Sequence, residues 1–181
     1  MPETVAIIGA GPLGRWLALS AARAGFRVLL EDVMPANLHH AQELLRQQSG
    51  FAALPGITFV STIEDVVREA DLVIDCVPDE LESKLEILWL LDRMAPPRTV
   101  LATPTTRLSI ADLANCTYRP DKCIAIAAEA SDLAANPAPS APQEILLRTT
   151  AKTAPETVAL LERFWHRLGF SPRFEPEQLS S

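Results

Sequence analysis

Val5-Ala6-Ile7-Ile8-Gly9-Ala10-Gly11-Pro12-Leu13-Gly14 stands near the start of the chain and decides how the rest is read. The four apolar residues Val5 to Ile8 have the length of a buried strand. Gly9, Gly11 and Gly14 follow at G-x-G-x-x-G spacing, and Gly11–Ala24 is rich in alanine and leucine at a helical period. In that order each glycine has a task. Gly9 permits a tight turn, Gly11 lets backbone approach a diphosphate, and Gly14 allows the helix to pack on the strand. Pro12 and Leu13 complete the loop, and the helix start offers free N–H groups to an anion. The glycine pattern alone is a weak signal; its place between strand and helix gives it weight.

Outward from this stretch, Phe26–Asp32 reads as a second strand, with Asp32 18 residues beyond Gly14. A carboxylate there accepts hydrogen bonds from an adenosine ribose and repels a 2′-phosphate, which favours NAD over NADP. FAD fits the same fingerprint. The same rhythm then continues. Pro35–Gln48 reads as a helix, Ile57–Val60 as a strand, Thr62–Ala70 as a helix with a capping-box spacing at Thr62 and Asp65, and Asp71–Val77 as a strand. Glu80–Met94 follows as a helix, Thr99–Ala102 as a strand, Ser109–Asn115 as a short helix and Lys122–Ala127 as a strand. Alternation of this kind predicts an α/β fold, a doubly wound, mostly parallel sheet of the Rossmann dinucleotide-binding type. After a proline-bearing loop at Glu129–Pro142, Glu144–Thr149 reads as a strand, Pro155–Leu168 as a helix and Ser171–Phe174 as a last strand.

Composition narrows the class of partner. The chain has 181 residues, 48% of them apolar and 22% charged, and a net charge of −7. That size suits one domain, assigned to residues 1–175 with a frayed tail at 176–181. An acidic chain repels nucleic acid and anionic membrane surfaces, so neither is expected as a partner. Cys76, Cys116 and Cys123 form no Cys-x-x-Cys pair, so no metal site is expected. With no basic leader segment and no apolar run of membrane-spanning length, the expected location is cytoplasmic.

Four segments carry a more specific likeness: VAIIGAGPLGRWLALSAARAGFRVLLEDV, ADLVIDCVPDELESKLEIL, LATPTTRLSIADLA and TAPETVALLERFWHRLGFSP. Together they resemble the N-terminal NAD-binding domain of the L-3-hydroxyacyl-CoA dehydrogenase family, from Val5 to about Gly169. The resemblance implies further cofactor contacts from Val77, Pro78 and Asp79 at the end of the fourth strand and from Lys84 near the nicotinamide-side ribose. It also implies a substrate- and cofactor-facing hydroxyl at Thr106, and makes Glu144 the nearest candidate for the glutamate that orients the family's catalytic histidine.

The family pattern breaks where the chemistry sits. Pro104-Thr105-Thr106-Arg107 replaces the family's Asn-Thr-Ser-Ser, and the His-Phe-Phe-Asn-Pro segment becomes Ala127-Ala128-Glu129-Ala130-Ser131. The catalytic base therefore falls on Ala127. Imidazole suits that role near neutral pH, and a methyl group cannot fill it. Glu129 is a candidate substitute base. His39 and His40 are neighbours on the second helix, roughly 100° apart around its axis, and His166 is expected at a helix surface. Trp16, just past the third glycine, replaces a small family residue and threatens to crowd the cofactor.

The family's second, helical domain, which completes an acyl-CoA pocket and makes the dimer, has no counterpart in this sequence. These features predict an NAD(H)-binding domain weakly active or inactive on its own. The rival readings are half of an enzyme completed by a helical partner, and a dinucleotide sensor or interaction module. Self-association and a small-molecule or acyl-CoA substrate belong to the same set of expectations.

Overall fold

A computed structural model describes residues 3–50, 56–128, 133 and 142–177. Eight strands form one sheet: β1 (Thr4–Ile8), β2 (Arg27–Glu31), β3 (Ile57–Val60), β4 (Leu72–Asp75), β5 (Val100–Pro104), β6 (Cys123–Ile126), β7 (Gln143–Thr149) and β8 (Phe170–Pro176). Between them lie α1 (Pro12–Arg23), α2 (Pro35–Gln48), α3 (Ile63–Val67), α4 (Leu81–Met94), α5 (Ile110–Asn115) and α6 (Pro155–Arg167). The strand order is β3-β2-β1-β4-β5-β6-β7-β8, with β6 and β7 antiparallel and every other neighbouring pair parallel. The doubly wound α/β expectation is met. The order reverses between β1 and β4, and the crevice at that switch point is where such sheets bind dinucleotides.

Both faces of the sheet are covered, which is why its central strands are apolar without a polar alternate. Val5, Ile7, Val28, Leu30, Leu72 and Ile74 share one cluster with residues of α1, α2 and α6. Ala6, Ile8, Leu29, Val73, Leu101 and Ala125 share the other with residues of α3, α4 and α5. Helix starts follow local chemistry. Pro12, Pro35 and Pro155 occupy the first turn, where a missing N–H costs nothing. Thr62 caps α3 by accepting from Asp65 N at 3.2 Å, as the capping-box spacing predicted.

Two expectations change. Trp16 does not turn toward the glycine loop: it packs edge-on against Phe170, ring centres 5.9 Å apart, at the end of an aromatic chain through Trp165, Phe164 and Phe26. The last strand is longer than Ser171–Phe174, and order extends past residue 175. β8 pairs with β7 through Thr149 and Pro176, and Glu177 N then donates to Thr149 O at 2.8 Å. By strand alternation that bond turns Pro172 and Pro176 away from β7, toward the open edge of the sheet, where a proline without an N–H is tolerated. Among the described residues no helix is long and apolar enough to cross a membrane, and no group of three or more acidic, histidine or cysteine side chains is placed to hold a metal.

Candidate dinucleotide site

The three glycines of the loop differ in conformation and in the space around them. Gly9 has φ +100°, a conformation that favours glycine, and its amide donates to Glu31 O at 2.8 Å. A Cβ on Gly14 would lie 1.8 Å from Gly9 O, so only glycine lets α1 approach the strand end this closely. A Cβ on Gly11 would meet nothing within 4 Å. Space above Gly11 and a tight packing beneath Gly14 are what a diphosphate resting on a helix N-terminus needs.

Asp32 joins this loop to the second strand. Its Oδ2 accepts from Ala10 N at 3.0 Å, and its Oδ1 accepts from Met34 N at 2.9 Å and Asn37 Nδ2 at 3.1 Å. The residues at hand fit a dinucleotide with its adenosine half over β2. Glu31, buried beside Asp32, has its carboxyl pushed up to about 7 by burial and then by the Asp32 charge. Arg15, which sequence reasoning passed over, folds back and donates to Ala10 O at 2.9 Å.

At the other half of the crevice, the ends of β4 and β5 meet. Thr106 N donates to Asp79 Oδ2 at 3.3 Å, and Arg107 Nη2 donates to Asp79 O at 2.8 Å. Asp79 and Thr106, predicted from different segments, are thus brought together, with Val77 and Pro78 on the same connection from β4. Asp79 Oδ1 is buried without a partner among the described residues. Lys84 stands apart from this group. Its side chain is enclosed within the fold, its Nζ 2.6 Å from Asp75 Oδ1 in a fully buried pair. Burial pushes the Asp75 carboxyl up despite that lysine. Cys76 is likewise held far above the ordinary thiol range by burial, with the Asp75 charge adding to it, so it is no nucleophile.

The reaction end of the site differs from expectation in a definite way. Ala127 follows β6, half-buried, and its amide donates to Leu146 O at 2.9 Å. Pairing of Ala125 with Arg148 and Ile126 with Leu147 leads to Leu146 as the β7 residue opposite Ala127. Glu144 lies two residues before Leu146, opposite Ser171 on β8, exposed, 3.2 Å from Arg173. The residue opposite Ala127 is thus a leucine, with Glu144 and Arg148 about 7 Å to either side of it along β7. Arg148 Nη2 donates to Thr105 O at 2.7 Å. Glu129 lies outside the described residues. His39, His40 and His166 are all exposed on helices away from the strand ends.

Comparison with known proteins follows the same lines. The family described as 3-hydroxyacyl-CoA dehydrogenase, NAD binding domain, matches residues 4–172. A probable 3-hydroxybutyryl-CoA dehydrogenase of Bacillus subtilis is 30% identical over 177 residues, covering 89% of this chain and 59% of the relative. A 5-formyl-3-hydroxy-2-methylpyridine 4-carboxylate 5-dehydrogenase of Mesorhizobium japonicum is 29% identical, covering 95% of this chain and 57% of that protein. The crystal structure of a 3-hydroxyacyl-CoA dehydrogenase from Archaeoglobus fulgidus superposes with a TM-score of 0.80 at 26% identity, over 98% of this chain and 57% of that one. The chain therefore spans a little over half the length of these relatives.

Proposed function

Because this chain belongs to the 3-hydroxyacyl-CoA dehydrogenase family, as its NAD-binding domain, we propose that it holds NAD(H) and by itself transfers hydride weakly or not at all. The backbone of Gly9, Gly11, Pro12, Leu13 and Gly14 carries the diphosphate, and Asp32 takes the adenosine ribose. Val77, Pro78, Asp79 and Thr106 border the nicotinamide half, and Lys84 supports that half through Asp75. Bound NAD would supply the hydride acceptor for oxidation of a hydroxyl group.

The observation that carries the second part of the proposal is Ala127 with Leu146 opposite it. Taking the proton from a hydroxyl needs a positioned base, and methyl and isobutyl groups accept none. A positioned acid–base group contributes on the order of 10²–10⁴ in rate. The test is an assay of this chain with NADH and acetoacetyl-CoA beside the Bacillus subtilis relative. The proposal expects NADH binding with turnover ~10³-fold below the relative; comparable turnover overturns it.

The chain spans a little over half the length of those relatives, and their activity comes to it only through a second reading. In it a separate helical partner completes an acyl-CoA pocket and supplies the base, and activity appears only on mixing. A dinucleotide sensor, or a self-associating module, stands behind both. The three free thiols fit a reducing, cytoplasmic setting.

A further inference from the structure

Glu177, one residue past β8, reaches back to the start of α5. Its Oε1 accepts from Ile110 N at 3.0 Å, and its Oε2 accepts from Ala111 N at 2.8 Å and Ser109 Oγ at 2.9 Å. Arg148 of β7 stands 3.6 Å from the same carboxylate. Through its Nη2 that arginine donates to Thr105 O at 2.7 Å. Thr105 is buried, and its Oγ1 in turn accepts from Leu108 N at 3.1 Å and Arg107 N at 3.4 Å.

Thr105–Ser109 is therefore held from two sides. Asp79 grips it through Thr106 N and the Arg107 side chain on the crevice side. Glu177 and Arg148 grip it from behind, at Thr105 O and at the Ser109–Ala111 start of α5. The carboxylate is 12% exposed and the guanidinium 21%, so water and salt screen this contact little and its charged hydrogen bonds are of the stronger kind. Leu108 packs on the core, whereas Thr106 and Arg107 are exposed and are held to Asp79 by polar contacts.

We propose that Glu177 and Arg148 are positioning residues for the nicotinamide half of the cofactor site. Neither touches the cofactor; together they fix the loop that does. The proposal rests on the NAD(H) reading above, and it locates the control of one half of the site at the end of the last strand.

Adenosine 5′-diphosphate separates the two halves, because it carries adenosine and diphosphate but neither nicotinamide nor its ribose. The full chain and its Glu177→Ala, Glu177→Gln and Arg148→Met variants are titrated with NADH and with ADP. Glu177→Ala raises the NADH Kd about tenfold and leaves the ADP Kd within about twofold. Glu177→Gln retains a carbonyl acceptor for the α5 amides, so it keeps the fold and gives a smaller shift in the same direction. NADH affinity unchanged in all three variants, or NADH and ADP weakened in parallel, overturns the proposal. Failure of the unaltered chain to bind either ligand instead sinks the cofactor reading, and the proposal with it.

Discussion

The amide of Ala10 donates to the Asp32 carboxylate across 3.0 Å, which makes the glycine turn and the acid after β2 one mechanical unit. Asp32 shapes the loop and, in the proposed NAD site, presents its charge to the ribose. Replacing it by alanine is expected to weaken NADH binding and to bring the NADPH and NADH affinities together by about tenfold or more, since the repulsion of a 2′-phosphate goes with the charge. Parallel fluorescence titrations with the two cofactors measure the ratio; an unchanged ratio removes Asp32 from the ribose.

Gly11 and Gly14 separate binding from folding. Gly11 has φ −70° and open space beyond its Cα, so Gly11→Val is expected to leave the melting temperature nearly unaltered and to abolish measurable NADH binding. Gly14→Ala pushes a Cβ to 1.8 Å from Gly9 O and is expected to cost about 2–3 kcal/mol of stability or more, as overpacked sites do. Thermal melts and NADH titrations of the two variants check both halves. Retained binding in Gly11→Val would show that the loop does not approach a diphosphate.

Glu31 should give the protein a pH-dependent stability of unusual sign. Its carboxyl titrates near 7 in the fold against an ordinary 4.5, so between those values the folded state binds the extra proton. Stability therefore falls as pH rises from about 4.5 to about 7 and is level beyond, by roughly 1–3 kcal/mol from this group. Glu31→Gln removes that fall. Urea denaturation of both forms at the acidic and alkaline ends of the window is the measurement, and identical slopes in the two proteins would contradict it.

The Asp75–Lys84 pair makes a different claim about the nicotinamide half. Both side chains are buried, and Lys84 fastens the first turn of α4 to the end of β4, directly behind the Val77–Asp79 connection. Lys84→Met leaves the aspartate alone in the interior and is expected to cost about 3–5 kcal/mol, whereas pairing it with Asp75→Asn recovers much of that loss. A double-mutant cycle by denaturation reads the coupling. A coupling near zero would mean that the lysine does not support the connection.

Much of the fold was legible because its signals are local. Pro35 at a helix start and the four-residue run Ile57–Val60 fix α2 and β3 to the residue, and the glycine spacing places the diphosphate loop and Asp32. What escaped depends on partners far along the chain. Lys84 reads, by resemblance, as a contact of the nicotinamide-side ribose until the fold sets Asp75 beneath it. Trp16 reads as a neighbour of the glycines until Phe170 arrives 154 positions later (170 − 16). The residue facing Ala127 escaped for the same reason: the register of an antiparallel strand after a long connection is set by packing, and the pairing of Ala125 with Arg148 puts Leu146, two residues past Glu144, opposite Ala127. Glu177 gave no signal at all, since the groups at the start of α5 that it holds are 66 to 68 residues away.

The central claim is that this chain is an NAD-binding domain whose glycine loop and Asp32 choose the cofactor. Titration of the purified protein with NADH and with NADPH, followed through energy transfer from Trp16, Trp89 and Trp165 to the nicotinamide, tests it most directly. The account predicts saturable NADH binding with a Kd of roughly micromolar size and NADPH at least about tenfold weaker. Absence of binding to either, or NADPH bound as tightly as NADH, would contradict it.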